Sequence, residues 1–480
     1  MEGTAEEPSV DLAVIGAGVA GTSVAASLQQ ARPDWSIVLL ERSNRIGGRL
    51  RSVALPGVDH PIELGGMRFL TSHRRVAALV EELGLASYPF DRTGGAERSV
   101  LRGRVADGPG DADAGAGYDL PIGERGRSAS TLVQAAFETI IPGASAMDHA
   151  TFSDRRATAA YLGRRLVDWT IAEALATTLS PEGQRFVTDA FGYDSGMRAF
   201  NVGDAIEFLS GGGDPTAEAR TPEEGMDRIP GELAARFQGR GGVLRLGHEP
   251  VAIEVAGDRL RLRLADGSSL DSARIVLAIP MSALRLLAMT SPLLRSPVFG
   301  RLFDSVEVFP AMKLYLWYDR PWWRPVARGI RATTDLPLRK VFYLDSHPDA
   351  PAALLATYTD GRHVAPWLDL AGGVSDGSPA PTSMVREVGQ MLRAIHPEIA
   401  LIPDPAGSAL MHWGSDPHEI GWTFWRAGSV SDELITLALQ PDPSIPIHLA
   451  GETFSRSQSW VEGALESAEL VVERLTAQNP

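Results

Sequence analysis

Apolar and polar residues alternate in blocks at the start of the chain, in an order that predicts a βαβ unit. Residues 10–15 form a compact apolar run that is followed by a glycine turn. Residues 19–30 are rich in alanine with the pattern of a helix, and residues 36–40 form a second apolar run. Short apolar runs on both sides of a helix are typical of strands in a βαβ opening. The pattern therefore predicts an α/β layer here.

Helix-like and strand-like patterns alternate along the rest of the chain. Residues 130–203 are rich in alanine, leucine and arginine at helical spacing, which predicts an inserted helical subdomain that ends at a glycine-rich loop, residues 211–214. Residues 106–117 predict a loop and residues 372–381 a linker. The other predicted elements are helices at residues 74–83 and 461–475 and strands at residues 243–246, 251–255, 260–264, 275–279 and 312–318.

The composition is that of a globular protein with several domains. The chain has 480 residues, of which 44% are hydrophobic and 22% charged, so it can enclose a large cofactor. A formal net charge of -15 argues against nucleic acid or an anionic membrane surface as a partner, because both are negatively charged. The absence of cysteine excludes disulfides and thiolate metal sites.

No targeting signal can be recognised in the sequence. Residues 1–9 are acidic and lack the basic and apolar regions of a secretory signal, and no apolar run approaches the roughly 20 residues that cross a bilayer. We therefore expect a cytoplasmic protein without a membrane span. The ten histidines lack metal-ligand spacing and no Ser/His/Asp motif is legible, so we expect neither a metal nor a nucleophile.

Gly16, Gly18 and Gly21 form a G-x-G-x-x-G motif between the first predicted strand and its helix, and Glu41 closes the second strand. The first glycine allows a tight turn, the second lets the backbone approach a pyrophosphate, and the third lets helix and strand meet. The helix N-terminus supplies free NH groups, and Glu41 would accept from a ribose hydroxyl. The motif in this context predicts dinucleotide binding.

Further motifs at both ends of the chain carry a resemblance to a known family. The sequence RIGGR at residues 45–49 follows Glu41, and ELGGMR occupies residues 63–68. Near the other end, LAGE at residues 449–452 is followed by SWVE at residues 459–462. Together these motifs resemble the flavin-dependent amine oxidase superfamily, and they are most similar to those of FAD-dependent L-amino acid oxidases. The resemblance implies FAD, which we expect to be bound noncovalently because no cysteine is available to attach it.

The resemblance and the pattern of elements together predict the fold class. We expect an α/β fold with a FAD-binding Rossmann-like domain of the GR2 type, a mixed-sheet substrate domain and an inserted helical subdomain. The FAD-binding domain is expected to be discontinuous, at residues 1–75, 225–285 and 426–480. The substrate-binding domain is expected at residues 76–129 and 286–425, and the helical subdomain at residues 130–224.

The resemblance also implies which residues contact the cofactor. In the family a glutamate of the closing motif binds ribitol and a helix starts under the flavin, and the matching residues are Glu452, Trp460 and Val461. A helix N-terminus there would stabilise negative charge on the reduced flavin. Arg49 would neutralise the pyrophosphate, and Arg42 substitutes for a basic residue that the family often has two positions after the ribose-binding acid. The other implied contacts are Gly48, Gly66, Met67, Arg68, Val251 and Gly451.

Arg68 is the main substrate residue, because L-amino acid oxidases carry an arginine at this position that binds the substrate carboxylate. A planar guanidinium matches the two oxygens of a carboxylate; the alternative is a structural arginine paired with an acid such as Glu63. A similarity over residues 333–343 implies that Tyr343 also contacts the carboxylate. Phe342 faces the pocket instead if the strand register differs by one residue.

Lys313 lies inside the strand predicted at residues 312–318, where a lysine is costly to bury without a partner. The resemblance implies that it holds a water near flavin N5 and assists reoxidation by oxygen; the alternative is a lysine that reaches solvent at the strand edge. Trp460 matches an aromatic wall beside the flavin, and simple packing is its alternative.

These residues predict oxidation of an L-amino acid to the imino acid and then the 2-oxo acid, with ammonia and hydrogen peroxide as products and oxygen as co-substrate. No general base and no preference for a substrate side chain can be read from the sequence. Three alternatives stay open: a monooxygenase that decarboxylates the amino acid to an amide, an amine or polyamine oxidase that needs no carboxylate, and a flavin-binding scaffold or oxygen-independent desaturase. A homodimer is also left open.

Overall fold

The computed structural model describes residues 9–91, 97–108, 114–144, 155–209, 216–327, 329–344 and 347–477. The glycine-rich loop predicted at residues 211–214 and part of the loop at residues 106–117 lie outside these ranges. Within the described ranges, no helix is both long and apolar enough to cross a membrane.

The first sheet has seven strands and is built from three separate stretches of the chain. Its parallel part centres on Val10–Ile15, which pairs with Ile37–Glu41 on one side and with Ser269–Leu277 on the other. Four of the six residues of Val10–Ile15 are buried, as expected for a parallel strand covered on both faces. The other strands are Val243–Leu246, Ile447–Leu449, and the antiparallel pair Pro250–Ala256 and Arg259–Leu264.

Three helices cover one face of this sheet. They are Val19–Ala31, Arg228–Gly239 and Val461–Ala477, and their apolar side chains share one core with the strands. The final helix therefore packs against the first one, and both ends of the chain contribute to one layer.

The second sheet also has seven strands and is mixed. Its strand order is Gly407–Trp413, Ala311–Tyr318, Ala352–Asp360, Lys340–Leu344, Arg331–Thr334, Arg98–Leu101 and Arg104–Asp107. The helix Thr382–Ile395 covers one face, and its buried side chains join those of the strands in one core. Seven of the eight residues of Ala311–Tyr318 are buried, because the opposite face is covered as well.

In its described residues, the inserted segment contains five helices: Ala129–Ile140, Ile171–Ala176, Pro181–Phe191, Asp194–Arg198 and Val202–Leu209. Ser128, Thr170 and Ser180 cap the first three by accepting backbone NH groups. The segment predicted to be a helical subdomain also contains a short antiparallel pair, Ala160–Tyr161 with Arg164–Arg165. Gly163 has φ +76° in the turn between them, so the chain reverses there and the helix cannot continue.

Short elements connect these layers. The remaining helices are Arg74–Glu82, Met281–Thr290, Pro297–Asp304, Leu368–Ala371 and Ser431–Ala438, and the short 3-10 turns are Ala114–Gly117, Leu166–Asp168, Pro292–Arg295, Gly361–His363, Ala365–Trp367 and Glu452–Phe454. The small sheets are Ser52–Val53 with Ile62–Glu63, Phe69–Leu70 and Ser87–Pro89 with Ala219–Pro222, and Val306–Phe309 with Trp422–Trp425. The predicted domain boundaries stay a prediction, but each large sheet draws its strands from stretches assigned to one domain.

Candidate active site

The three glycines of the first turn have three different surroundings. Gly16 has φ +101°, and a Cβ there would lie 2.5 Å from the Ala278 carbonyl oxygen. A Cβ on Gly21 would lie 1.9 Å from the Gly16 carbonyl oxygen, so the helix approaches the turn too closely for any side chain. The nearest atom to a Cβ on Gly18 is 3.8 Å away. Only the second position therefore leaves free space beside the backbone.

That free space belongs to a cavity of about 410 Å³ that runs between the two sheets. A volume of this size is typical of ligand and cofactor sites. Gly21, Met67, Arg68 and Tyr343 do not line it. The predicted site residues that do line it are Gly16, Gly18, Glu41, Arg42, Gly48, Arg49, Gly66, Val251, Lys313, Gly451, Glu452, Trp460 and Val461.

At one end of the cavity, Glu41 holds the glycine turn in place. One carboxylate oxygen accepts from the Ala17 backbone NH at 2.8 Å, and the other accepts from the Ser43 backbone NH and hydroxyl at 2.9 and 2.8 Å. The oxygen that accepts from Ala17 keeps a free lone pair, because each carboxylate oxygen accepts about two hydrogen bonds. Arg42, also at the cavity, forms an ion pair with Asp416 at 3.0 Å.

The two arginines of the RIGGR segment, Arg45 and Arg49, have different partners. Arg45 donates to the carbonyls of Gly48 and Leu50 and fixes the loop between them. Arg49 forms an ion pair with Glu452 at 2.6 Å. The buried Glu452 also accepts from the backbone NH of Ser459 at 3.0 Å. Arg49 and Glu452 are both assigned to cofactor contacts and come from opposite ends of the sequence. They thus form an ion pair at the cavity wall.

The closing helix begins at Val461, directly beside the cavity. Its predecessor Trp460 packs edge-on against His73, with ring centroids 4.7 Å apart. Burial lowers the pKa of His73 to about 4, so this imidazole is neutral near pH 7. Free backbone NH groups at such a helix start favour a negative charge in front of them.

Lys313 lines the cavity from the second sheet. Its ammonium donates to the carbonyl oxygens of Glu63 and Gly65, at 3.0 and 2.5 Å. Burial lowers its pKa, and the nearby Glu63 carboxylate opposes that shift. The ammonium is thus buried and partnered, and it does not reach solvent at a strand edge as the alternative proposed.

Arg68 has aromatic neighbours and, in the described part of the chain, no ion-pair partner. Its guanidinium carbon lies 5.1 Å from the ring centroid of Phe90 and 5.6 Å from that of Phe342. Among the residues that the structure describes, no carboxylate pairs with it. Glu63, the alternative partner considered from the sequence, accepts instead from Ser52 and from the Met226 backbone NH. Burial lowers the pKa of Arg68, so this cation would gain much from an anionic ligand.

Tyr343 lies on the other face of its strand, so the structure corrects its assignment. Its hydroxyl is buried 2.7 Å from Nε2 of His396, on the face covered by the helix Thr382–Ile395. Phe342 instead faces Arg68. The difference is one residue, which reverses the side of a strand on which a side chain lies.

Tyr358 is the tyrosine that reaches the cavity, and it belongs to no motif that could be recognised in the sequence. It lies directly across from Lys313 in the antiparallel pair, and the lysine Nζ is 4.7 Å from its ring centroid. Tyr193 and Trp422 pack against it, with centroids 5.3 and 6.2 Å from that of Tyr358. We call Tyr193, Tyr358 and Trp422 the aromatic group. Because Tyr193 directly follows the helix Pro181–Phe191 and Gly192, the inserted segment contributes to the site.

Comparison with known proteins supports one family. A family model described as "Flavin containing amine oxidoreductase" matches residues 19–476. The chain is 27% identical to Aplysianin-A of Aplysia kurodai, over 97% of this chain and 90% of that protein. It is 25% identical to a flavin-dependent L-tryptophan oxidase of Lentzea aerocolonigenes, over 97% of this chain and 98% of that protein. A solved putrescine oxidase bound to putrescine superposes with a TM-score of 0.74 at 15% identity, over 98% of this chain and 100% of that one.

Proposed function

The chain belongs to the flavin containing amine oxidoreductase family, and from that premise we propose that it oxidises the amino group of an L-amino acid and uses molecular oxygen as electron acceptor. Membership confirms the predicted fold class, FAD as the cofactor and an oxidoreductase activity. The amino acid substrate, as opposed to a simple amine, is the part that we propose.

The residues at the cavity fit FAD. Gly18 leaves its backbone open on the cavity side, and the helices that begin at Val19 and Val461 both direct unpaired NH groups to the cavity wall. Such helix ends stabilise a phosphate or a reduced ring by about 0.5–2 kcal/mol each. Glu41 and Arg42 would hold the ribose end, and Glu452 with Arg49 the middle of the molecule. When bound, FAD accepts the two electrons that leave the substrate.

The unpaired guanidinium of Arg68 is the observation that carries the proposal. An amino acid supplies the carboxylate that this half-buried cation lacks among the described residues, whereas a simple amine adds a second positive group beside it. The aromatic group offers flat walls near Arg68, because the Phe342 ring against which Arg68 lies has its centroid 6.4 Å from that of Tyr358. Positioning of the substrate between these walls and the cavity is the main contribution that these side chains make to catalysis.

Lys313 would act on the oxygen half of the reaction. Its buried ammonium is held by two carbonyls at the cavity wall, which leaves one of its three protons for a water or for an oxygen species. The imino acid would hydrolyse in water to the 2-oxo acid and ammonia, and oxygen would leave as hydrogen peroxide. No residue is assigned as a general base.

Replacement of Arg68 by lysine and by alanine tests the proposal. Lysine keeps the charge but cannot donate to both carboxylate oxygens in one plane, so kcat/KM for an L-amino acid should fall by about tenfold or more. Alanine should cost roughly 2–5 kcal/mol of transition-state stabilisation. The bound FAD content should stay normal in both variants.

The decarboxylated amine of the same amino acid is the matched control substrate. Its kcat/KM with the wild-type protein should be low. That value should fall little further in the variants, because the carboxylate contact is already absent. If the amine is the better wild-type substrate, or if Arg68→Ala lowers both substrates equally, the protein is an amine oxidase and the proposal is wrong. An amide product in place of the 2-oxo acid would identify a monooxygenase.

A further inference from the structure

The chain contains only two lysines among its 45 lysine and arginine residues, Lys313 and Lys340. Both are buried, with 2% and 6% of their surface exposed. Both are paired with Tyr358 across neighbouring strands, Lys313 on one side and Lys340 on the other. Directly paired residues of antiparallel strands point to the same face, so the two ammonium groups flank the tyrosine of the candidate site.

Lys340 has no anionic partner among the described residues. Its Nζ lies 5.0 Å from the ring centroid of Tyr193, and neither an ion pair nor a hydrogen bond engages it. Glu97, a nearby acid, forms an ion pair with Arg331 at 2.5 Å. Lys313, by contrast, donates to two carbonyls. An isolated buried ammonium costs several kcal/mol, so this position is costly unless a ligand completes it.

Gly192 makes room for this lysine. It has φ +80°, and a Cβ there would lie 2.8 Å from Cε of Lys340. The inserted segment thus passes directly over the lysine stem and presents Tyr193 to the ammonium. Lys340 therefore lies between the second sheet and the inserted segment, beside Tyr193, whereas Tyr358 and Trp422 of the same aromatic group line the cavity.

Arg68 and Lys340 contact the same group of rings. Arg68 lies against Phe342, whose ring centroid is 6.4 Å from that of Tyr358, and Lys340 lies against Tyr193, whose centroid is 5.3 Å from that of Tyr358. Burial, Arg331 and Arg68 lower the pKa of Lys340, and Glu97 opposes that shift. A substrate with a single carboxylate compensates one of these cations. A second carboxylate would compensate the other, and it would raise the pKa of Lys340 again, because an adjacent anion favours the protonated form.

We propose that the substrate is an L-amino acid with an acidic side chain, of the size of glutamate or aspartate, and that Lys340 binds the side-chain carboxylate. The inference rests on the proposed function, in which Arg68 binds the α-carboxylate. Lys340 is then the residue that selects the substrate side chain, and the Lys340 ammonium packs against the ring of Tyr193.

Pairs of nearly isosteric substrates test the proposal: L-glutamate with L-glutamine, and L-aspartate with L-asparagine. In the wild-type protein kcat/KM for the better acid should exceed that for its amide by about tenfold or more. Lys340→Met should abolish this preference, and kcat/KM for the amide substrate should change by less than about threefold. Arg301→Met is the control, because it removes one positive charge from an exposed pair with Glu433 and should leave the preference intact.

A binding measurement gives a second readout that does not depend on turnover. Glutarate should raise the Tm of the purified wild-type protein more than butyrate does at equal concentration, because only glutarate can occupy both cations. The difference should vanish in Lys340→Met. Lys340→Gln serves as a second variant if methionine does not fold.

The outcomes separate this inference from the function on which it rests. If L-amino acids are oxidised but neutral ones are preferred, Lys340 does not select the side chain. The same conclusion follows if Lys340→Met lowers kcat/KM equally for the acid and for its amide. Either result overturns this inference and leaves the proposed function intact. If only decarboxylated amines are oxidised, the proposed function has failed as well. Equal Tm shifts from glutarate and butyrate also overturn the inference.

Discussion

Replacing Gly21 by alanine would put a methyl carbon 1.9 Å from the Gly16 carbonyl oxygen, more than 1 Å inside the 3.0 Å below which such contacts essentially do not occur. Both atoms belong to rigid elements, so the helix Val19–Ala31 must move away from the strand end. Overpacking of this kind costs about 1–3 kcal/mol, and better helix propensity returns about 1 kcal/mol. We expect a net loss of up to about 2 kcal/mol in the free energy of unfolding, together with loss of FAD.

Two other glycines provide matched controls. Gly231 lies inside the helix Arg228–Gly239, and a Cβ there meets nothing within 4 Å, so Gly231→Ala should stabilise the protein by about 0.5–1 kcal/mol. Gly18 has φ −74° and its nearest atom would be 3.8 Å from a Cβ. Gly18→Ala should therefore leave stability nearly unchanged and yet lower FAD retention, because the methyl group fills the cavity side of the turn.

The assay is denaturant unfolding of the flavin-free proteins, with FAD per chain measured by absorbance in parallel preparations. Gly21→Ala should lose both stability and FAD, Gly18→Ala should lose only FAD, and Gly231→Ala should lose neither. If Gly21→Ala keeps its stability, the close approach of helix and turn is not rigid. If Gly18→Ala retains FAD fully, the cofactor does not approach the backbone at that position.

Two further predictions concern the cofactor and its reoxidation. Acid precipitation should release unmodified FAD into the supernatant, because the chain has no cysteine; flavin that stays in the pellet would contradict noncovalent binding. Lys313→Met removes the ammonium at the cavity wall while keeping the length of the side chain, so oxygen should reoxidise the reduced protein more slowly while anaerobic reduction by substrate changes less. Normal reoxidation would make Lys313 a purely structural link to Glu63 and Gly65.

The opening unit could be predicted from the sequence because its local and global requirements agree. Residues 12–15 are apolar since both faces of the strand are buried there, and the glycine spacing follows from the contact of Gly21 with Gly16. The helix predicted at residues 19–30 ends one residue later, at Ala31. Backbone contact between adjacent elements leaves a signal in the sequence that can be read without knowing the rest of the fold.

The substrate end could not be predicted in the same way, because it depends on which strands are neighbours. Tyr358 lies beside Lys313 although 44 residues separate them in the chain, and the strands Arg331–Thr334 and Lys340–Leu344 intervene in sequence. Tyr343 and Phe342 were both considered, but only their cross-strand surroundings decide between them. Lys340 carried no motif, and its role depends on Tyr193 from the inserted segment.

The ion pair between Arg49 and Glu452 joins residues 403 positions apart, and the strand Ile447–Leu449 joins the first sheet beside Ser269–Leu277. A ribosome that adds about 5–20 residues per second needs roughly 20–80 s to travel from one partner to the other. In the later part of that interval, from the synthesis of residues 275–277 until that of Ile447–Leu449, the nascent chain carries a sheet with an open edge, which is a template for pairing with other chains. The final segment thus completes the first sheet late in synthesis. Protection of the open edge by chaperones until then would set the fraction of the synthesised chain that binds FAD.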